Sequence, residues 1–195
     1  MIRVGLRYYP LLTLGPGRRC GVWLQGCSRR CPGCMARSFQ DAAAPSAEEL
    51  EPAALAREIW ASGARAATIS GGEPFEQGEA LKILLDCLRG YGMRDIIVYS
   101  GFEGGELLEK HPWLPSRVAC LIDGAFREDL PDEAAFRGSA NQRAWIFRDG
   151  PRYAAWLNER KGRLQTAVSG HNLYLLGVPR VGDARRLLEL DNGDG

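Results

Sequence analysis

The sequence predicts an α/β protein in which strands and helices alternate along the chain. Two observations lead to this fold class: short apolar runs typical of buried strands recur, and segments with one apolar helical face separate them. Such alternation is typical of parallel βαβ units, whose right-handed crossovers produce an open sheet or part of a barrel. Ligands of these sheets bind at the carboxyl ends of the strands, so motifs at those ends are the first candidates for a functional site.

The first helix is expected to begin near Glu51, with Pro52 in its first turn, and to end at Gly63. A buried strand at 66–70 follows it, and a helix over 78–90 places its leucines on one side. The later predicted elements are a strand at 95–100, a short helix from 104, and strands at 118–123, 143–147 and 172–177.

Length and charge restrict the possible partners. A chain of 195 residues suits one domain, or one domain with a small extension. The 25 basic and 24 acidic residues give a net charge of +1, so we expect no broad attraction to nucleic acid or to an anionic membrane. No apolar run is long enough to span a membrane, and the N-terminus lacks the pattern of a secretory signal. We therefore expect a cytoplasmic protein whose thiols stay reduced.

Three cysteines lie close together in GVWLQGCSRRCPGC, residues 21–34. Cys27, Cys31 and Cys34 are separated by three and then two residues, and their glycine and proline neighbours place them in a loop. A structural zinc site would need a fourth protein ligand. An iron–sulfur cube held by three thiolates would instead leave one iron open to a substrate or cofactor. Candidates for a fourth zinc ligand are Cys20, Cys87, Cys120, His111 and His171.

Packing explains the remaining cysteines better than ligation does. Cys87 lies among the leucines of the predicted helix, and Cys120 lies inside a predicted strand. Cys20 precedes the three-cysteine loop on another expected strand. His171 comes just before an apolar run, a position typical of a structural histidine.

A glycine-rich turn, Gly71, Gly72, Glu73 and Pro74, follows the predicted strand at 66–70. On one interpretation, the glycines only permit a tight connection from strand to helix. On the other, they let a small zwitterion approach the backbone, where carbonyl groups or Glu73 would hold its ammonium group. The location at the carboxyl end of a strand favours a binding function.

The Cys-x3-Cys-x2-Cys spacing, together with Gly-Gly-Glu-Pro, resembles the radical S-adenosylmethionine superfamily. The resemblance implies a partial (β/α) barrel, open on one side, with a [4Fe-4S] cluster held by Cys27, Cys31 and Cys34. It also implies that S-adenosylmethionine chelates the fourth iron and is reductively cleaved to a 5′-deoxyadenosyl radical, and that the glycine-rich turn binds its amino group. The residue before the third cysteine, often aromatic in this superfamily, is Gly33, so Met35 or a later residue is expected near the adenine.

Four further segments resemble the activating enzymes of glycyl-radical proteins, and among these the anaerobic ribonucleoside-triphosphate reductase activator family. They are GPGRR at 15–19, YSGF at 99–102, LIDGAFREDL at 121–130 and FRGSANQR at 136–143. The resemblance implies that a glycyl radical is installed on a partner reductase, with a flavodoxin- or ferredoxin-type electron donor. Two features depart from it: residues 148–195 form a C-terminal extension of the single domain 1–195, and Met35 stands where the family often has histidine.

Three other functions remain open at this stage: a radical enzyme acting on a small molecule or peptide, an electron-transfer ferredoxin, and a zinc-binding interaction module. Tyr99 and Ser100, at one strand end, and Asp123, at the next, are expected to approach S-adenosylmethionine. Asn141 and Arg143 either bind its carboxylate or ribose or brace their own loop. The complete predicted cofactor-binding set is Gly33, Cys34, Met35, Gly71, Gly72, Glu73, Pro74, Tyr99, Ser100 and Asp123.

Overall fold

The strands of the protein form a large mixed sheet whose centre is parallel. A computed structural model describes residues 1–160, 164–169 and 172–180. In these residues the sheet has the spatial order β3-β1-β2-β4-β5-β6-β7. Strands β2, β4, β5 and β6 are mutually parallel, whereas β1, β3 and β7 pair antiparallel at the two sides. The strands are β1 Ile2–Leu11, β2 Arg19–Leu24, β3 Glu48–Leu50, β4 Ala66–Gly71, β5 Asp95–Tyr99, β6 Cys120–Asp123 and β7 Arg143–Ile146.

Helices connect the parallel strands, as the alternation in the sequence predicts. The helices are α1 Pro52–Ala61, α2 Gly78–Gly90, α3 Gly104–Lys110, α4 Leu114–Arg117 and α5 Gly150–Leu157. Pro52 occupies the first turn of α1, where the absence of its N–H costs no intrahelical bond. The bounds of α2 match the predicted helix, because its period of apolar residues is regular and glycine stands at its end.

The main core lies between the sheet and helices α1 and α2. Four leucines of α2, at 81, 84, 85 and 88, have no exposed area and pack with Leu55 and Ile59 of α1. They face Ile69 of β4 and Val98 of β5. Full burial of each such side chain stabilises the fold by about 1.5–3 kcal/mol. This packing fixes the position of the parallel strands and therefore of the loops at their carboxyl ends.

Two late elements differ from the simple alternation. The predicted strand at 143–147 exists as β7, but it runs antiparallel to β6 and ends the sheet. The predicted strand at 172–177 is β9, Asn172–Leu176, which pairs with β8, Gln165–Ser169, in a separate hairpin. An apolar run specifies a strand, but the choice of its partner depends on residues far away in the sequence.

The cysteines assigned to packing are buried or half-buried. Cys20 and Cys120 are buried in strands, and Cys87 lies on α2 against the main core. Burial raises the pKa of the Cys20 thiol to about 12, and does the same for Cys120. His111 packs against Phe75 and Trp113 with its ring tilted to both, and His171 lies outside the described residues. Among the helices in the described ranges, none combines the length and apolar character needed to cross a membrane.

Candidate functional site

A cavity of about 550 Å³ lies at the carboxyl ends of the parallel strands. Its wall includes the loop after β2, the glycine-rich turn after β4, the residues after β5, and Gly124 after β6. These four segments are distant in the sequence and meet because parallel strands place their carboxyl ends at the same edge of the sheet. A cavity therefore lies at the edge of the sheet where the sequence predicts the site.

Cys27, Cys31 and Cys34 all line this cavity and are half-buried. Backbone hydrogen bonds fix the beginning of their loop: the Cys27 N–H donates to the carbonyl of Gln40 at 2.9 Å. The middle of the loop is held by Glu76, which accepts hydrogen bonds from the backbone N–H and hydroxyl of Ser28. Burial raises the pKa of the Cys27 thiol. The loop therefore presents three soft ligands to a single enclosed space.

Thiolate donors in one cavity suit an iron–sulfur cube, which binds each cysteine through a different iron. A zinc ion requires its ligands to converge on one point. In the residues that the structure describes, no group of three or more His, Cys, Asp or Glu side chains has such a convergent arrangement.

The glycine-rich turn packs directly on the backbone of β2 and of the loop that follows it. Gly71 has a φ of +107°, and a Cβ there would collide with the backbone of Leu24. A Cβ on Gly72 would collide with the carbonyl group of Gly26. The turn is joined to β2 by a hydrogen bond from the Gly72 N–H to the Leu24 carbonyl, and to the loop after β2 by one from the Glu73 N–H to the Gly26 carbonyl, both 2.8 Å. Both glycines are thus required by close packing, and this packing joins the turn to the cysteine loop.

Glu73 is a buried polar side chain of the cavity wall. It is 1% exposed and accepts hydrogen bonds from the Ser100 hydroxyl at 2.8 Å, the Gly101 N–H at 2.7 Å and the Phe75 N–H at 3.1 Å. Burial raises the pKa of its carboxyl, and these hydrogen bonds oppose the shift without cancelling it. The charge of Arg29, which also lines the cavity, acts in the same direction as the hydrogen bonds. Glu73 is therefore held in a fixed orientation at the wall.

Most of the predicted cofactor-binding residues share the cavity. Tyr99 lines it while donating its hydroxyl hydrogen to the carbonyl of Phe136 at 2.9 Å, and burial raises the pKa of this phenol. Pro74 is buried at the start of a short 3-10 helix and is not part of the wall. The predicted residues that line the cavity are Gly33, Cys34, Met35, Gly71, Gly72, Glu73, Tyr99 and Ser100.

Asp123 lies behind the wall rather than in it. It has no exposed area, and its Oδ2 accepts hydrogen bonds from the Gly104 N–H at 2.5 Å and the Arg143 guanidinium at 2.9 Å. The next residue, Gly124, lines the cavity instead. Contact of Asp123 with S-adenosylmethionine therefore stays a prediction, while its observed role is to join α3 to β7.

The loop that contains Asn141 and Arg143 is braced internally, which is one of the two alternatives considered from the sequence. The Asn141 amide donates to the carbonyl of Ala125 at 2.8 Å, and Arg143 pairs with Asp123 and Glu103. The intervening Gln142 lines the cavity and donates to the carbonyl of Gly124 at 2.9 Å.

Sequence reasoning missed several residues of the wall. Arg29 lies inside the cysteine loop, and Phe126 and Gln142 lie inside two of the segments noted above, so their proximity to the recognised motifs was an available signal. Residues 173–179, which begin in β9, also line the cavity. No motif marks this segment, and its position depends on tertiary packing alone.

Comparisons with known proteins show which family this chain belongs to. The family model described as 4Fe-4S single cluster domain matches residues 13–145. An anaerobic ribonucleoside-triphosphate reductase-activating protein from Salmonella typhi is 32% identical over 147 residues, covering 70% of this chain and 94% of the relative. Proteins of the same name from Enterobacteria phage T4 and Escherichia coli K12 are each 29% identical, covering 74% and 70% of this chain and 94% of each relative. The chain therefore belongs to the 4Fe-4S single cluster domain family and to the family that these activating proteins form.

Proposed function

We propose that this chain activates an anaerobic ribonucleoside-triphosphate reductase by installing a glycyl radical on it. The observation that carries the proposal is that Cys27, Cys31 and Cys34 line the same cavity as the turn from Gly71 to Glu73. The names of the relatives supply the identity of the partner. The common cavity of the cysteines and the glycine-rich turn supports a reaction that needs both a metal centre and a small zwitterionic cofactor.

The three loop cysteines are the ligands that we propose for a [4Fe-4S] cluster. When bound, the reduced cluster supplies one electron for the cleavage of S-adenosylmethionine to methionine and a 5′-deoxyadenosyl radical, which takes a hydrogen atom from the target glycine. Cys20 and Cys120 do not compete for iron, because burial keeps both thiols protonated. The half-buried positions of Cys27, Cys31 and Cys34 would partly shield a bound cluster from solvent, which suits radical chemistry.

The glycine-rich turn is proposed to bind the amino group of S-adenosylmethionine. Glu73 is held by Ser100 and Gly101, so its carboxylate would meet an ammonium group without first losing side-chain freedom. The close packing of Gly72 against Gly26 keeps this carboxylate at a constant distance from the cysteine loop. Gly33 and Met35 are proposed to lie near the adenine, since both line the same cavity.

We further propose that the sheet is a partial barrel, open on one side, within a single domain of residues 1–195. Its outer strands, β3 and β7, lie at opposite ends of the strand order. Helix α5, beyond the family match, buries Tyr153 and Trp156 against Phe136 and β6, which supports its inclusion in the same domain. An open side would admit a segment of the partner to the cavity.

A flavodoxin- or ferredoxin-type protein is proposed to supply the electron in a reducing, cytoplasmic environment. Arg29, Arg30 and Arg37 are exposed on or beside the cysteine loop. Such a basic surface favours the approach of an acidic electron carrier to the cluster.

Anaerobic reconstitution with iron and sulfide tests the metal centre. The wild-type chain is expected to turn brown, to absorb near ~400 nm and to hold about four irons per chain. Cys31→Ala should hold markedly less iron, whereas Cys87→Ala, which removes a half-buried thiol away from the cavity, should match the wild type. A colourless protein with one tightly bound zinc would instead support the interaction module.

Electron paramagnetic resonance tests the reaction. Mixing the reconstituted chain with S-adenosylmethionine, dithionite and the anaerobic reductase from the same genome should give a glycyl doublet and 5′-deoxyadenosine. Release of 5′-deoxyadenosine without a doublet on the reductase would contradict the proposed partner and favour a small-molecule or peptide substrate. Absence of both products from a chain with a full complement of iron would contradict the radical mechanism itself.

A further inference from the structure

Strand β9 borders the cavity along its edge rather than with one face. Side chains of a strand point alternately to opposite faces, so one face alone would supply alternate residues. Here four consecutive residues of β9, 173–176, line the cavity, and residues 177–179 after the strand also line it. Within the described residues, β8 is the only strand paired with β9, and no other backbone group bonds to it. Within that part of the chain, the N–H and C=O groups of its second edge therefore have no backbone partner at the border of the cavity.

The hairpin is fixed against the rest of the site by its inner face. Tyr174 stacks on Phe39, with ring centroids 5.9 Å apart, and the Phe39 carbonyl accepts a hydrogen bond from the Gly26 N–H, directly before the cysteine loop. Ala167 and Leu176 are each 3% exposed. At the far end, the Gln165 side chain bonds to the backbone of β1 and the residue after it, accepting from Leu12 at 3.0 Å and donating to Pro10 at 2.8 Å. The free edge consequently has a defined position relative to the three thiols.

The outer face of the same hairpin is apolar and exposed. Leu173 is 71% exposed and Val168, directly opposite it, is 74% exposed. Leu173 lies on the strand next to the cavity, whereas Val168 lies on the far strand. A polypeptide that paired with β9 would place its own side chains beside Leu173 and Leu175.

Resting on the function proposed above, we propose that the free edge of β9 binds an extended, glycine-centred segment of the partner reductase by β-strand addition. Removal of hydrogen from a glycine Cα requires that the backbone of the target itself enters the cavity. Glycine offers no side chain for recognition, so backbone hydrogen bonds are the contacts that can hold it in register. A strand edge supplies such bonds, and the flanking apolar surface supplies contacts for the residues on either side. The hairpin lies beyond residue 145, where the family match ends, so this docking element is a feature of this chain's C-terminal region.

A matched pair of variants tests the location. The probe is a fluorescent peptide of about twelve residues centred on the target glycine of the reductase, a length that spans a typical strand. Binding is measured by anisotropy to the reconstituted chain with S-adenosylmethionine and without reductant. Leu173→Lys should weaken binding about tenfold, because a lysine beside a strand edge opposes pairing. Val168→Lys, at an equally exposed position on the far strand, should stay within about twofold.

A scan of peptides methylated at one backbone nitrogen after another tests the mode of binding. Strand addition predicts losses of about tenfold at every second position near the glycine, with little loss between them, because alternate N–H groups face the edge. The expected alternation, together with the difference between the lysine variants, supports the proposal. Equal binding by both variants, a scan without alternation, or no binding of the peptide overturns it.

These results are distinguishable from those of the proposed function. A wild-type chain that binds the peptide with alternation but gives no glycyl doublet would contradict the activation of the reductase and leave the docking edge standing. A chain that gives the doublet but shows neither alternation nor a difference between the lysine variants would contradict the docking edge alone.

Discussion

Replacement of Gly72 by alanine should disturb the site because the added Cβ meets backbone rather than a mobile side chain. It would collide with the Gly26 carbonyl oxygen and lie 2.6 Å from that carbonyl carbon and 2.7 Å from the carbonyl oxygen of Phe39. Neither group is free to move, since Gly26 donates to Phe39 and accepts from the Glu73 N–H. The turn must therefore shift away from the cysteine loop.

Gly72→Ala should lower the free energy of unfolding by about 1–3 kcal/mol, the usual cost of overpacking a tightly packed contact. In a chain of this size, each kcal/mol lowers the melting temperature by about 2–4 °C, so a fall of roughly 2–12 °C is expected. Gly90→Ala is the matched control, because a Cβ at the end of α2 meets nothing within 4 Å. That change should leave stability unchanged or raise it by up to about 1 kcal/mol.

Two assays separate the effect on stability from the effect on the site. Thermal unfolding of the chain before reconstitution gives the stability difference. Equilibrium dialysis of S-adenosylmethionine against reconstituted protein should show binding weakened more than about tenfold in Gly72→Ala, a loss of about 1.4 kcal/mol, and unaltered in Gly90→Ala. If Gly72→Ala unfolds and binds like Gly90→Ala, then the turn is not held by the contact with Gly26, and the reasoning is refuted.

Three further changes test other parts of the structure. Burial alone would raise the pKa of Asp95, but the hydrogen bond and charge of Arg19, together with Tyr153 and Arg152, lower it overall. The contribution of Asp95 to stability should thus be fully present above its unfolded pKa of about 3.9 and fall as pH drops through its lower folded pKa. Asp95→Asn should reduce this fall in acid titrations of unfolding. Leu85→Ala should lower the free energy of unfolding in urea by about 2–5 kcal/mol, because this side chain has no exposed area. A loss under about 1 kcal/mol would show that α2 relaxes into the space left by the removed side chain. Asp123→Asn should lower stability by about 1–3 kcal/mol, because it replaces a carboxylate oxygen that accepts from the Arg143 guanidinium by an NH2 donor. Iron content should be unchanged, since Asp123 lies behind the cavity wall; a loss of iron would place Asp123 in the site.

The elements that the sequence predicted well are those with local signals. Pro52 specifies where α1 begins, and the regular spacing of the leucines specifies which face of α2 is buried. Neither signal depends on distant residues. The turn at Gly71 and Gly72 was predictable in the same way, because two adjacent glycines at a strand end mark a close approach of backbone. The reason for that approach, contact with the backbone of β2, was not predictable.

The features that escaped prediction depend on long-range pairing. The apolar run at 172–177 specifies a strand but does not specify that its partner is β8 instead of the main sheet. Asp123 follows a strand as expected, yet its side chain turns to Arg143, twenty residues later, and not to the cavity. In both cases the decisive contact is with a residue whose spatial position is set only by the complete fold.

The buried Arg19 shows how a motif can serve the site without touching it. This residue of the segment GPGRR has no exposed area, and it lies at the amino end of β2, opposite the cavity. Its guanidinium donates to the Thr68 hydroxyl of β4 at 2.8 Å and to the Asp95 carboxylate of β5 at 2.8 Å. Because strands are stiff and the register is fixed at their amino ends, these bonds also set the relative height of their carboxyl ends, where Glu73 meets Ser100. Arg19 is therefore needed because its hydrogen-bonded guanidinium holds adjacent strands in register. The geometry of the cavity wall follows from that register.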